Sequence, residues 1–424
     1  MSSVYETLQG RGLVEQVSDD GLGERLGEKS ATMYVGFDPT AESLQLGNLV
    51  PIMAMAHFQR AGHKVLAVVG GATGMIGDPS GKNEERNLLT AEKVAANAEA
   101  MKQQLSRFLD FTGPNAAVML DNNDWIGPMG FTEWLRDVGK FFTVNYMVAK
   151  ESVKTRMASA NGISFTEFSY MTLQAYDFLH LFDTMGCTVQ YGGNDQWGNI
   201  TAGIDLVRKR RQQSVFGLTC PLVKTSSGEK FGKSAGNALW LDPARTSPYH
   251  LYQYWVGQAD ADVEKYLKIF TFLPLEQIAE VCQAHVQSPE RREGQKLLAG
   301  EVTRVIHGQA GLDKALAATD AMFGGDLAGL TDADLADIFD AVPSSELPAQ
   351  AIVAGAPLVD VLAGTDLAES KGKARKLIAQ GGISVNNIRA TDTDAMVNTD
   401  TLAGRRTLIL RAGKKRYHLV KVVD

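Results

Sequence analysis

Lys230-Phe231-Gly232-Lys233-Ser234 places two lysines three apart around a glycine in a polar loop. Such a loop can close on a triphosphate and follow its charge as it redistributes. Earlier in the chain runs Tyr191-Gly-Gly-Asn-Asp195-Gln196-Trp-Gly-Asn199, which opens a predicted helix with the apolar face Trp197, Ile200, Ile204 and Val207. Asp195 and Gln196 therefore fall at a helix N-terminus, where an acidic side chain can act as a cap. A third group is Tyr170, Gln174 and Asp177, spaced i, i+4 and i+7 on one face of the predicted helix Thr166–Phe182. A polar stripe on a mostly apolar helix must be satisfied. Either solvent does this, or the stripe is the wall of a pocket for a polar ligand. The fourth stretch, Gly70–Gly81, is a Gly-rich turn holding Asp78, followed by the charged run Lys82-Asn-Glu-Glu-Arg86.

These stretches need a scaffold, and the first 220 or so residues supply one. Strands are predicted at Ala31–Phe37, Lys64–Val69, Ala116–Leu120 and Cys187–Tyr191. Helices are predicted at Leu46–Ala61, Ala91–Leu109, Phe131–Val138 and Thr166–Phe182. Pro51 fits the first of these helices because it falls in the first turn. Strands alternating with helices through Gly-rich turns indicate an α/β, Rossmann-like doubly wound parallel sheet. Ligands of such sheets sit beyond the C-terminal strand ends, where the Gly-rich turns lie. After Lys230 the pattern becomes helical, with Pro248–Phe270, Leu275–His285 and Glu290–His307. The expected division is a catalytic domain over 1–229, the phosphate loop and an α-helical domain over 230–330, a linker over 331–356 and a small α+β domain over 357–424.

A chain of 424 residues calls for two or three domains, and 44% hydrophobic with 21% charged residues is ordinary globular composition. No apolar run approaches the ~20 residues that span a bilayer, and the N-terminus lacks the basic and apolar regions of a signal peptide. Cys187, Cys220 and Cys282 have no CxxC spacing, which points to reduced thiols in a cytosolic protein without a zinc site. The net charge is −7, but Pro357–Asp424 holds twelve Lys/Arg against seven Asp/Glu, so this segment is +5 and the remainder −12. A basic module on an acidic body is a footprint for RNA, or simply an uneven solvated surface. The module's helix Ser370–Gln380 carries Lys371, Lys373, Arg375 and Lys376. Its final strands, Thr407–Leu410 and Tyr417–Val422, are joined through Lys414 and Lys415. That order resembles a small RNA-binding module of a ribosomal small-subunit protein and of pseudouridine synthases.

Together with Tyr34-Val-Gly-Phe-Asp38-Pro-Thr40, these motifs resemble the bacterial tyrosyl-tRNA synthetases, a class I family, from about Gly10 to the C-terminus. The resemblance implies ATP with Mg²⁺, L-tyrosine and tRNA(Tyr) as ligands, a cytoplasmic homodimer and no membrane. It implies that Tyr34 and Asp177 hold the phenolic hydroxyl, while Tyr170, Gln174, Asp78 and Gln196 hold the ammonium and carboxylate region. It places Asp38, Gly47 and Asp195 at ATP, with Asp195 on the ribose. Lys82, Arg86, Lys230, Lys233 and Ser234 meet the pyrophosphate, and Lys371, Lys373, Arg375, Lys414 and Lys415 meet tRNA. Arg208–Arg211 either complements a helix dipole or touches the acceptor stem. Trp134–Val148 is either a dimer interface or a buried core helix. One motif departs from the family: its His-Ile-Gly-His element reads Gln45-Leu46-Gly47-Asn48. Neutral amides can still donate to phosphates from a helix N-terminus. The rival readings are a catalytically weakened RNA-binding paralogue and a synthetase for another aromatic amino acid such as tryptophan.

Overall fold

In this computed structural model, residues 3–81, 89–229, 231–234, 237–413 and 415–424 are described. Lys82, Arg86, Lys230 and Lys414 lie outside them, as do the side chains of Lys233 and Ser234.

The strands of the first sheet are β1 (Gln16–Val17), β2 (Thr32–Phe37), β3 (Lys64–Val69), β4 (Val118–Asp121), β5 (Val189–Gly193) and β6 (Phe216–Cys220), in the spatial order β1-β6-β5-β2-β3-β4. The five strands β2 to β6 run parallel, and only the short edge β1 is antiparallel. Chain order reverses between β2 and β5, because β3 and β4 build outward on one side and β6 on the other. A crevice opens at such a switch point beyond the C-terminal strand ends. Here it receives Asp38 after β2, Gly70 after β3, Asn122 after β4, Asn194 after β5 and Pro221 after β6. Strands buried on both faces read as continuous apolar runs, as Val65–Val69 does with each residue 1% exposed or less.

Several elements differ from the sequence expectation. Leu46–Asn48 is a separate 3₁₀ turn, and the α-helix proper is Leu49–Arg60, buried almost throughout. β4 and β5 each start and end a residue or two later than predicted. Pro248–Phe270 is two helices, Pro248–Val256 and Asp260–Phe270, since Ala259 is extended (φ −67°, ψ 146°). The helix expected at Glu290–His307 runs over Glu293–Met322, interrupted at Gly308 (φ 71°), just past the predicted end.

The chain forms two compact units, residues 1–246 with 255–306, and 247–254 with 307–424. The stretch 230–330 is therefore not one helical domain. Nor is 331–356 a plain linker: Asp332–Ile338 is a helix and Ser344–Pro348 pairs parallel with Arg416–Val423. That sheet of the second unit runs 388–390, 383–385, 407–412, 416–423, 344–348. Leu408, Leu410 and Val420 close its core against Leu358, Leu362, Ala374 and Ile378. Ser344–Pro348 was missed because it is too polar for a strand signal and gains its pairing only from a partner seventy residues later.

Candidate functional site

A cavity of about 400 Å³ sits in the crevice of the first unit, lined by Tyr34, Asp38, Thr40, Gln45, Asn48, Thr73, Asp78, Asn122, Tyr170, Gln174, Asp177, Gln190, Asp195 and Gln196, among others. One end is buried and polar. The helix Phe165–Met185, capped by Ser164, brings Tyr170, Gln174 and Asp177 to the cavity. So the polar stripe is a pocket wall and not a solvated face. Asp177 is 4% exposed. Its Oδ1 accepts from the Trp125 indole at 2.8 Å and its Oδ2 from Asn122 Nδ2 at 3.1 Å. Burial pushes its pKa up to about 7, against the pull of those two hydrogen bonds. Tyr34 reaches the same end from β2. Its hydroxyl lies 3.5 Å from the Gln174 carbonyl, at the limit of a hydrogen bond, and burial raises its pKa, helped by Asp177. A buried phenol and a buried carboxylate together suit a ligand hydroxyl that both donates and accepts.

Midway, the carboxylate of Asp78 accepts from Gln196 Nε2 at 2.6 Å and from the Ser80 amide at 2.9 Å. Asn199 Nδ2 donates to Gln174 Oε1 at 2.9 Å. Tyr170 donates to Asp38 Oδ2 at 2.7 Å, and Thr73 donates to Asp38 Oδ1 at 2.8 Å. Gly70 makes this possible: a Cβ there would fall 2.2 Å from Asp38 Oδ1 and 2.3 Å from the Thr73 hydroxyl. Carboxylates and amide oxygens in this arrangement suit a ligand ammonium.

The other end is open. Gln45 and Gly47 are exposed and Asn48 half-buried, at the N-terminus of the helix Leu49–Arg60. Asn48 Oδ1 accepts the Gln45 amide at 2.9 Å, which leaves the Asn48 Nδ2 as the donor arm. The 239–241 segment pairs with this turn, Leu46 N to Leu239 O at 2.8 Å and Leu241 N to Leu44 O at 2.9 Å, while Leu239 N reaches Gly232 O at 3.0 Å. This brings the lysine-containing loop to the turn. Gly232 has φ 83°, and a Cβ on it would sit 3.4 Å from Leu46 Cβ, so glycine serves both the turn and the approach. Phe231, between the two lysines in sequence, is buried against Phe270 (4.9 Å, stacked), Tyr266 (5.2 Å) and Trp255 (5.6 Å). Asp195 is exposed at the rim.

Thr73, Asn122, Trp125, Gln190 and Asn199 were not singled out in the sequence. Gln190 lies opposite Tyr34 in the β2–β5 register, 2% exposed, and its Oε1 finds no partner among the described residues. The position of Asn122 just past a strand end was the available signal for it. Among the described residues, no three His, Cys, Asp or Glu side chains gather to cage an ion.

One sequence expectation changes. Trp134–Val148 is not one helix but short helical pieces, Phe131–Asp137, Gly139–Phe141 and Val144–Val148. Phe142 and Met147 belong to the core, and the exposed apolar side chains nearby are Phe131, Leu135, Val144 and Phe165. Arg208–Arg211 is tied down locally: Arg208 and Lys209 pair with Asp205, Arg211 with Asp183 and Arg210 with the Asp137 carbonyl. In the second unit, Lys371, Lys373 and Arg375 are exposed on the helix Lys371–Ala379, which buries Ala374 and Ile378. Lys371 pairs with Asp360 at 2.8 Å and Lys373 with Glu369 at 2.9 Å, and Lys415 is exposed.

The model of the tRNA synthetases class I (W and Y) matches residues 26–324, and that of the tyrosine–tRNA ligase SYY-like C-terminal domain matches 334–420. The tyrosine–tRNA ligase of Roseiflexus castenholzii is 50% identical over 425 residues, covering 100% of both chains. That of Bacillus caldotenax is 49% identical over 417 residues, covering 98% of each. Among solved structures, a C-terminally truncated mitochondrial tyrosyl-tRNA synthetase of Aspergillus nidulans superposes with a TM-score of 0.68 at 34% identity, over 74% of this chain and 92% of its own.

Proposed function

The chain belongs to the class I tRNA synthetases of the tryptophan and tyrosine type, and among them to the tyrosine–tRNA ligases, and on that premise we propose how its residues divide the reaction. It is an aminoacyl-tRNA synthetase, which activates L-tyrosine with ATP and transfers tyrosyl to tRNA(Tyr). The weakened paralogue suggested by Gln45-Leu46-Gly47-Asn48 finds no support among full-length relatives near 50% identity.

The tyrosine ring enters the buried end, and its hydroxyl donates to Asp177 while meeting Tyr34. The ammonium lies among Asp78, Tyr170 and Gln174, and Gln196 steadies the carboxylate end. A carboxylate oxygen attacks the α-phosphorus, the α–β phosphoanhydride breaks, and pyrophosphate leaves with the electron pair. Gln45 and Asn48 donate to the phosphates from their helix N-terminus, while Asp38, Gly47 and Asp195 hold the nucleoside side. Lys230, Lys233, Ser234, Lys82 and Arg86 meet the departing pyrophosphate. Mg²⁺ enters as part of Mg–ATP. A terminal ribose hydroxyl of the tRNA then attacks the carbonyl and AMP leaves. No side chain forms a covalent bond; catalysis is positioning and electrostatic stabilisation.

Lys371, Lys373, Arg375, Lys414 and Lys415 would meet the tRNA backbone. Exposed Phe131, Leu135, Val144 and Phe165 form the apolar side of a homodimer interface. The cytoplasm is the expected compartment.

The observation that carries the tyrosine reading is the buried Asp177 beside Tyr34. Indole and phenylalanine have no phenol to offer either group, so the desolvated carboxylate would gain no ligand donor, a rule for which tyrosine activation is the usual illustration. Exchange of labelled pyrophosphate into ATP, run with each aromatic amino acid, tests it. Tyrosine should support exchange far better than phenylalanine or tryptophan. Preference for tryptophan, or no exchange with any, would overturn the assignment. Reversing the charges of Lys371, Lys373 and Arg375 should lower tRNA charging in a salt-dependent way and spare exchange.

A further inference from the structure

The imidazole of His180 lies flat on the indole of Trp125, with centroids 4.6 Å apart and planes within 11°. His180 follows Asp177 by three residues on the helix Phe165–Met185, so both lie on one side of it. Trp125 donates its N–H to Asp177 Oδ1 at 2.8 Å. It comes from Asn123–Ile126, a four-residue helix too short to be stable by itself. Neither ring is among the cavity's lining residues. On the other side of His180 stands Tyr176, tilted at 6.3 Å, which Trp134 meets edge-on at 5.4 Å. The row Trp134–Tyr176–His180–Trp125 therefore runs along the helix and ends on the group that holds Asp177.

We propose that His180 is a positioning residue for tyrosine recognition, fixing the plane of the Trp125 indole so that its N–H aims at the Asp177 carboxylate. The inference rests on the reading that Asp177 takes the phenolic hydroxyl. Offset stacking of two flat rings restricts rotation of the indole. Burial lowers the His180 pKa, with Asp183 pulling the other way, so near neutral pH the ring is a neutral stacking face. Without the stack the indole turns away, and Asp177 keeps Asn122 as its remaining donor of the two. The consequence falls on tyrosine affinity and leaves ATP binding and the chemical step alone.

The test is pyrophosphate exchange in the full chain with wild type, His180→Ala, His180→Phe, Trp125→Phe, and Trp125→Phe combined with His180→Ala. Trp125→Phe removes the donor and should raise the tyrosine KM about tenfold, as loss of a hydrogen bond to a charged group does. His180→Ala should raise it about threefold or more, with kcat and the ATP KM within about twofold of wild type. His180→Phe should restore the wild-type tyrosine KM, since it keeps the stack. In the Trp125→Phe background His180→Ala should add nothing, because its effect passes through the lost N–H. A purely structural role predicts otherwise: His180→Ala would lower Tm, shift the ATP KM as well, and act equally in both backgrounds. That pattern, an unchanged tyrosine KM in His180→Ala, or failure of His180→Phe to restore it, overturns the inference. If Trp125→Phe itself leaves the tyrosine KM unchanged, the indole N–H does not tune recognition and the inference falls, while the assignment of Asp177 to the phenol is decided separately by the tyrosine affinity of Asp177→Ala.

Discussion

At the buried end of the cavity, proposed for the tyrosine ring, Asp177 is buried, holds two hydrogen bonds and sits on a helix of 21 residues. At the open end, proposed for the phosphates, Gln45 and Gly47 are exposed, and the nearest scaffold is a three-residue 3₁₀ turn paired to the 239–241 segment. The contrast follows from what each end must do. Recognising a phenol against phenylalanine needs polar groups that are costly to leave unpaired, so they are removed from water and fixed in advance. Meeting a phosphate whose charge grows during reaction needs donors that approach late. Rigid elements suit the first task and loops the second.

Asp177→Ala breaks the buried end most completely. A hydrogen bond to a charged group contributes roughly 1.5–3 kcal/mol, so tyrosine affinity should fall on the order of ten- to a hundredfold while ATP affinity holds. Equilibrium binding of each substrate measures this; tyrosine affinity kept within about twofold would remove Asp177 from the phenol site.

A smaller effect comes from pH. The Asp177 pKa is raised to about 7, with Asp38 and Asp121 opposing ionisation and the hydroxyls of Tyr34 and Tyr170 nearby. The phenol is best received by the ionised form, so tyrosine binding should weaken by up to about tenfold between pH 8 and pH 6. Asp177→Asn should flatten that profile. The same shift makes Asp177 stabilise the fold most at low pH. That contribution is lost as pH rises from the usual carboxylate range through about 7.

The exposed end should respond in rate and not in binding. Gln45→Ala and Asn48→Ala should each slow single-turnover adenylate formation roughly tenfold or less, below the 10²–10³ of a fully used oxyanion donor, because the helix N-terminus and the lysine loop share the load. Tyrosine binding should stay near wild type. Rates equal to wild type would make the amides bystanders.

The smallest effect tests how the two ends are joined. Phe231→Leu loosens the aromatic socket of Trp255, Tyr266 and Phe270, and should slow adenylate formation only about threefold with tyrosine binding unchanged. Stopped-flow fluorescence with tyrosine and then ATP separates the two steps. A loss confined to tyrosine binding would show that the socket serves the buried end instead.

Much of this site was legible in the sequence. The i, i+4, i+7 spacing put Tyr170, Gln174 and Asp177 on one face, because helical periodicity is a local property. Gly-rich turns marked strand ends, and alternation fixed the sheet class. The motif Lys230–Ser234 was legible as a motif, although Lys230, Lys82 and Arg86 lie outside the described residues.

Other features depended on contacts between residues far apart in the chain. Whether the polar stripe faced water or a pocket was open until Asn122 and Trp125 arrived from the end of β4, some fifty residues earlier. Asn122, Gln190 and Asn199 look unremarkable in sequence, because an amide gains meaning only from the group it is aimed at. Ser344–Pro348 became a strand only through Arg416–Val423. The 239–241 segment carries no motif, yet its pairing with Leu44–Leu46 brings the lysine loop to the open end of the cavity. The sequence by itself determined periodicity, turn chemistry and the inventory of reactive groups, since these act over a few residues. Only the tertiary structure decided which of those groups are buried together, because desolvation and hydrogen-bond partnership depend on elements distant in the chain.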